Sequence, residues 1–293
     1  MLPTDRSLPP RTTGSIPPTG LVLLGIGTTQ LGAAVAKSLF NEIGSTGTVF
    51  LRVGFAALTL LLLWRPRLRG YAPANYFAVI LFGLTLSGMN LSFYSALERI
   101  PLGIAVTLEF VGPLGVAIVG SRRLLDLVWV LLAAAGIILL APWGGAKLDP
   151  IGVELALLAG SLWAAYILLS ARVGRAFPGG AGLALAMSIA AVILLPLGVL
   201  SGGTALLHPK LLVAGFGVAL LSSTIPFSLE LEALRRLPTN VFGVLLGLEP
   251  AIAALVGFVI LGEKLELRAI IAILLVTLAT VGASIFRTHG SKK

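Results

Sequence analysis

The polar positions of this chain fall in short clusters separated by long apolar stretches. Ten such stretches are predicted: 20–38, 46–64, 74–97, 101–120, 124–142, 152–170, 180–200, 211–233, 238–260 and 266–286. About 20 residues of α-helix, at about 1.5 Å each, cross the roughly 30 Å hydrocarbon core of a bilayer. Nothing alternates with the period of two that a barrel strand needs. A lipid-embedded backbone must satisfy its own hydrogen bonds, so the expected fold class is all-α, a polytopic bundle of ten transmembrane helices. Residues 1–18 carry Pro3, Pro9, Pro10, Pro17 and Pro18 with few apolar groups and are expected to be a disordered tail. Residues 288–293 form a short C-terminal tail. The run LVLLGI (21–26) followed by AVA (34–36) could pass for a signal peptide. The apolar segment continues past the usual length of such a core, so it is expected to be the first span.

The pattern is also duplicated. Ala96–Leu125 returns as Ala233–Gly262 and the two align without a gap, sharing Ala96/Ala233, Leu97/Leu234, Arg99/Arg236 and Pro101/Pro238. They also share Leu108/Leu245, Pro113/Pro250, Ala117/Ala254, Val119/Val256 and Gly120/Gly257. Ten spans divide as five and five about the loop 143–150, giving repeats over 19–145 and 146–287. An odd number of spans per repeat inserts the second upside down. Two halves of opposite direction around a central site are the inverted architecture that alternating access uses.

Composition agrees. Of 293 residues, 57% are hydrophobic and 11% charged, which leaves too little polar surface for a soluble domain. The net charge of +9 does not point to nucleic acid, because the basic residues sit in loops between spans. Fourteen lie on the side of the N-terminus (Arg6, Arg11, Arg65, Arg67, Arg69, Arg122, Arg123, Arg172, Arg175, Arg235, Arg236, Arg287, Lys292, Lys293). Six lie on the other side (Lys37, Arg99, Lys147, Lys210, Lys264, Arg268), and Arg52 stays inside the second span. Both termini are therefore expected in the cytoplasm. No cysteine is present, and His208 and His289 fall in loop and tail, so neither a metal nor a cofactor is expected.

Candidate chemistry is confined to a few polar groups within spans. Glu109 lies eight residues beyond Pro101, about 12 Å along the helix; Glu249 lies eleven beyond Pro238, about 16 Å from the opposite face. Both fall near the midplane. In the repeat alignment Glu249 matches Gly112, three residues after Glu109, so the acids occupy equivalent faces. A carboxylate at such depth is costly and asks for a reason. It can hold either a proton or a cationic group, and mutually exclusive occupancy is the simplest basis for proton/substrate antiport. The alternative is a structural acid paired with Arg52 or a backbone group. Arg52 could receive a carboxylate in its guanidinium fork, pair with a glutamate, or snorkel outward. Lys37 is expected to mark the outer interface. Prolines 113, 226 and 250 each free a backbone carbonyl within a span. Gln30, Ser87, Asn90, Tyr94, Trp163 and Tyr166 could complete a pocket or serve packing alone. Gly243 and Gly247 read as close helix packing, and Glu230 and Glu232 as interfacial ion-pair partners of Arg235 and Arg236. Enzyme signatures are missing: GFVILGEK (257–264) has glutamate where a phosphate loop needs lysine, and neither HExxH nor GxSxG occurs.

The segment LEPAIAALVGFVILGEKLELRAIIAILLVTLATVGA (248–284) resembles the carboxy-terminal part of an EamA repeat of the drug/metabolite transporter superfamily. GAAVAKSLF (32–40), PLGIAVTLEFVGPL (101–114), SRRLLDLVWVLLA (121–133), PFSLELEALRRLPT (226–239) and GLEPAIAA (247–254) resemble the bacterial threonine/homoserine exporter subfamily. The likeness covers nearly all of the chain after the tail. The LGE that follows span nine has no counterpart after span four, where Ser121, Arg122 and Arg123 stand. The resemblance implies export of small neutral amino acids, threonine and homoserine above all, across the bacterial inner membrane, driven by protons. A carrier of the same fold for another metabolite or drug is the alternative. Either is expected to be a monomer in membrane lipid, since an inverted duplication completes its own site.

Overall fold

A computed structural model describes residues 16–67, 69–119, 124–140, 148–234, 236–237 and 239–286. The tail 1–15, the arginines at 122, 123, 235 and 287, Lys147, His289 and most of the 143–150 loop lie outside them. Among the described residues regular structure is helical throughout. The helices are α1 Pro18–Ser38, α2 Phe40–Trp64, α3 Pro73–Leu97, α4 Leu102–Glu109, α5 Val111–Val119, α6 Leu124–Leu140 and α7 Pro150–Ala176. They continue as α8 Ala181–Gly202, α9 Pro209–Ala219, α10 Ile225–Leu234, α11 Thr239–Leu246, α12 Glu249–Leu261 and α13 Leu267–Phe286.

Six helical segments are long and apolar enough to cross a bilayer: 18–38, 40–64, 73–97, 150–176, 181–207 and 241–261. Four more, 102–116, 128–140, 209–224 and 267–282, are apolar but shorter. Prolines interrupt the helices at three places. Pro113 cannot donate to the carbonyl of Glu109, and the helix turns at Phe110 between α4 and α5. Pro250 cannot donate to Leu246, and a break at Gly247–Leu248 separates α11 from α12. Ahead of Pro226 the chain widens into a π-helical turn, Leu220–Thr224, between α9 and α10.

Lipid explains where the side chains go. Leu62, Leu200 and Val213 are 73%, 84% and 73% exposed, as outer faces of a bundle in hydrocarbon can be. Small residues face inward and let backbones approach. Gly112 lies on Gly160, where an added Cβ would stand 1.8 Å from the Gly160 carbonyl oxygen. α2 packs on α8, α3 on α7 and α8, α1 on α10, α4 on α12, and α6 on α13. The close packing expected at Gly247 is present, since Thr280 Oγ1 of α13 donates to its carbonyl at 3.2 Å.

The two ends of the bundle differ. At one, the α2–α3 turn meets the α7–α8 turn: Tyr71 stacks on Phe177 at 4.3 Å, and Trp64 lies against Gly179 and Gly180. Gly179 has φ +57°, and a Cβ on either glycine would stand 2.4 Å from the indole. At the other end polar contacts tie five connections together. Lys37 Nζ donates to Glu263 Oε1 at 2.7 Å and to the Ile100 carbonyl at 3.1 Å, and the Leu102 N–H donates to Glu263 Oε2 at 2.8 Å. Ser45 donates to Glu98 at 2.8 Å, Ser201 to the Ile43 carbonyl at 3.1 Å, and Arg99 to Asp149 at 2.9 Å. Lys37 is thus 23% exposed and latched to Glu263.

Candidate functional site

Between the two ends lies a cavity of about 320 Å³ lined from α1, α2, α3, α4, α7, α8, α10, α11 and α12 and by the π-helical turn. Gln30, Arg52, Asn90, Tyr94, Glu109, Trp163, Tyr166 and Glu249 all line it. Ser87 does not; it is buried and donates to the Leu84 carbonyl at 2.9 Å.

The cationic side of the cavity is built around Arg52. Its Nη1 donates to Asn90 Oδ1 at 2.5 Å, and Asn90 is itself held by donating to the Leu86 carbonyl at 2.8 Å. Its Nη2 donates at 3.3 Å to the carbonyl of Ser222, the residue four before Pro226. Proline has no N–H to offer that carbonyl, so the guanidinium takes the place of a helical hydrogen bond. The guanidinium carbon lies 5.3 Å from the Tyr94 ring centroid, within cation–π range. Arg52 is therefore committed inward and does not snorkel. Its Nε, the Tyr94 hydroxyl and the Ser222 hydroxyl cluster there, buried, with no hydrogen bond of good geometry to any other group, Arg52 and Ser222 standing close enough to act on the Tyr94 hydroxyl. Buried donors in such a cluster call for an anionic ligand group.

The acidic side faces it. Glu109, 9% exposed, ends α4 and makes no salt bridge with Arg52 among the described residues. Its position is fixed by backbone contact: a Cβ on Gly160 of α7 would stand 2.6 Å from the Glu109 carbonyl oxygen, the one to which Pro113 cannot donate. Glu249 opens α12, where the free N–H groups of the first turn favour negative charge, and Gln30 Nε2 donates to it at 2.9 Å. Gln30 Oε1 is buried with no donor. Trp163 packs edge-on against Phe110 at 5.0 Å, and Tyr166 against Phe82 at 5.3 Å, forming an aromatic wall. No cluster of metal-ligating side chains occurs among the described residues.

Proteins named threonine/homoserine exporter RhtA, from Salmonella typhimurium and from Escherichia coli K12, are each 42% identical to this chain. The first alignment covers 90% of both chains and the second 94% of both. Residues 150–285 match the model of the EamA-like transporter family. The chain belongs to the EamA-like transporter family. It is a multi-pass membrane transporter and not an enzyme. A solved crystal structure at 19% identity superposes with a TM-score of 0.58 over 93% of this chain and 96% of the other, which speaks to the fold alone.

The family match begins at the first residue of α7, in the half that keeps the LGE after its proline-kinked helix. Ser222 of this EamA cavity gave no signal in the sequence, and the charged residue the sequence misplaced is Glu230. Glu230, expected to pair with an arginine at the interface, lines the cavity instead; only Glu232 pairs with Arg236, on the outer face. The signal was in the spacing. Glu232 and Arg236 are four apart, whereas residues two apart in a helix point in nearly opposite directions. Placing Glu232 outside therefore turns Glu230 inward.

Proposed function

We propose that this protein exports small neutral amino acids, threonine and homoserine in particular, from the bacterial cytoplasm across the inner membrane in exchange for protons. The observation that carries it is the polarity of one cavity. The Arg52 guanidinium with the Tyr94 and Ser222 hydroxyls stands on one side and the carboxylates of Glu109 and Glu249 on the other. An α-amino acid is the complementary object, presenting a carboxylate to the guanidinium and an ammonium to an acid. A cavity of about 320 Å³ is at the small end of ligand sites, which suits such a substrate. The 42% identity to exporters of threonine and homoserine supports the same substrate class.

In this reading the chain crosses the membrane ten times in two inverted five-helix repeats and works as a monomer, with both termini in the cytoplasm. The helix contacts support the repeat. Exchanging each span for its counterpart five spans on leaves α2–α8, α4–α12 and α6–α13 as self-paired contacts. The same exchange converts α3–α7 into α1–α10, α3–α8 into α2–α9, and α4–α7 into α1–α12, all of which occur. Proton coupling then follows from competition. An acid that holds the ammonium must have released its proton, and return of the emptied site restores it.

The test is uptake of labelled threonine and homoserine into proteoliposomes with an acidic interior, with and without a protonophore. Accumulation that collapses with the gradient is expected. Absence of accumulation by intact, inserted protein would remove these substrates and direct a search to other metabolites.

A further inference from the structure

The cavity contains more acid than the transport reading uses. Its lining residues include three carboxylates, Glu109, Glu230 and Glu249, and a single cation, Arg52. Glu230 makes no hydrogen bond or ion pair among the described residues, and Arg236, just beyond the end of its helix, is taken by Glu232. Room is kept for it: a Cβ on Gly25 of α1 would lie 3.5 Å from Glu230 Cγ and 3.8 Å from its Oε1. Tyr166 and Glu249 lie within its electrostatic reach, and Glu109 in turn lies within reach of Glu249.

Position along the helix separates Glu230 from the Arg52 cluster. Eight residues run from Ser222, which holds the guanidinium, to Glu230, about 12 Å of rise. An α-amino acid places its ammonium only one carbon from its carboxylate. A substrate whose carboxylate rests on Arg52 therefore holds its ammonium nearer to the Ser222 turn than to the backbone of Glu230. Glu230 sits four residues before the end of α10, and Leu183, two residues past the start of α8, also lines this end of the cavity. Both lie at the end where Trp64 meets Gly179, away from the Lys37–Glu263 latch.

We propose that Glu230 is a separate binding station for the substrate's ammonium group at the cytoplasmic mouth, ahead of Glu249 and Glu109. This rests on the amino-acid reading and on the orientation given above. The station binds a primary ammonium on a small molecule; Tyr166 walls it, and the mouth itself leaves the substrate carboxylate in water. Transfer inward exchanges one carboxylate for the next, so the ammonium is never left without a counter-charge in the low-dielectric interior.

The experiment compares Glu230→Gln, Glu230→Asp and Glu232→Gln with the parent protein in two arms. The first measures half-saturation for threonine from each face in sided proteoliposomes. Glu230→Gln raises the value at the cytoplasmic face about tenfold, as loss of a charge-assisted contact does, and leaves the outer face unchanged. Glu230→Asp recovers part of the loss, and Glu232→Gln behaves as the parent. Equal shifts at both faces, or none at the cytoplasmic face, overturn the proposal. The second arm titrates solubilised protein with threonine methyl ester, a cation without a carboxylate. The parent binds it and Glu230→Gln binds about tenfold more weakly. Equal binding by both, or no binding by the parent, overturns the station. Loss of threonine flux in the parent while the ester result stands would sink the substrate reading and leave the station in place.

Discussion

Gly160→Ala is the substitution whose consequence can be worked most fully. The new Cβ would lie 2.6 Å from the Glu109 carbonyl oxygen and 3.1 Å from its C and Cα. Ordinary C···O contact begins near 3.4 Å, so α4 and α7 must part by about 0.8 Å. All three neighbours are backbone, and no flexible side chain can move aside. Overpacking of this kind costs about 1–3 kcal/mol. Gly174 lies on the same helix with nothing within 4 Å of its would-be Cβ. There alanine removes only the backbone freedom of glycine, a gain of about 0.5–1 kcal/mol. The two variants should therefore differ by about 1.5–4 kcal/mol in reversible unfolding of detergent-solubilised protein, with Gly160→Ala the weaker. Gly160→Ala should also slow transport, because the backbone it displaces carries Glu109. Equal stability of the two variants, within about 0.5 kcal/mol, would show that the α4–α7 contact does not set the position of Glu109.

Glu109→Gln should fold normally and lose proton-driven accumulation, read as labelled threonine uptake under an imposed pH gradient; unchanged coupling would remove Glu109 from the mechanism. Arg52→Lys keeps the charge but loses the fork that reaches both Asn90 and Ser222, and should weaken substrate binding by about tenfold in equilibrium titration. Lys37→Met leaves Glu263 with the Leu102 N–H as the one partner of its side chain among the described residues and should lower unfolding stability by about 1.5–3 kcal/mol, with loss below 0.5 kcal/mol counting against the latch. Arg99 donates to the exposed carboxylate of Asp149 and holds it below the usual aspartate range. Its contribution to stability is therefore present above the unfolded-state value and lost as pH falls through the lower folded value. Asp149→Asn should consequently differ from the parent in unfolding at neutral pH, with the difference vanishing in acid; a difference that persists in acid would assign the effect to the α7 cap alone.

The class of the protein was legible because each rule behind it is local. Apolar runs of bilayer length, basic clusters between them and a gapless internal repeat need no coordinates. That eight polar and aromatic residues line one cavity follows the same logic, as polar groups stranded in hydrocarbon must meet one another or a ligand. Pro226 illustrates the limit. Its position predicted a freed carbonyl, but that Arg52, 170 residues earlier in the chain, would occupy it depends on how α2 meets the π-helical turn. Ser87 and Glu230 were misplaced for a related reason. Each needed the rotation of its helix about its own axis, and only packing against neighbours decides that rotation. The sequence by itself determined that ionisable groups lie inside the membrane. The tertiary structure decided which of them share a cavity and which are spent on latches, because those distinctions rest on contacts between residues that the sequence places far apart.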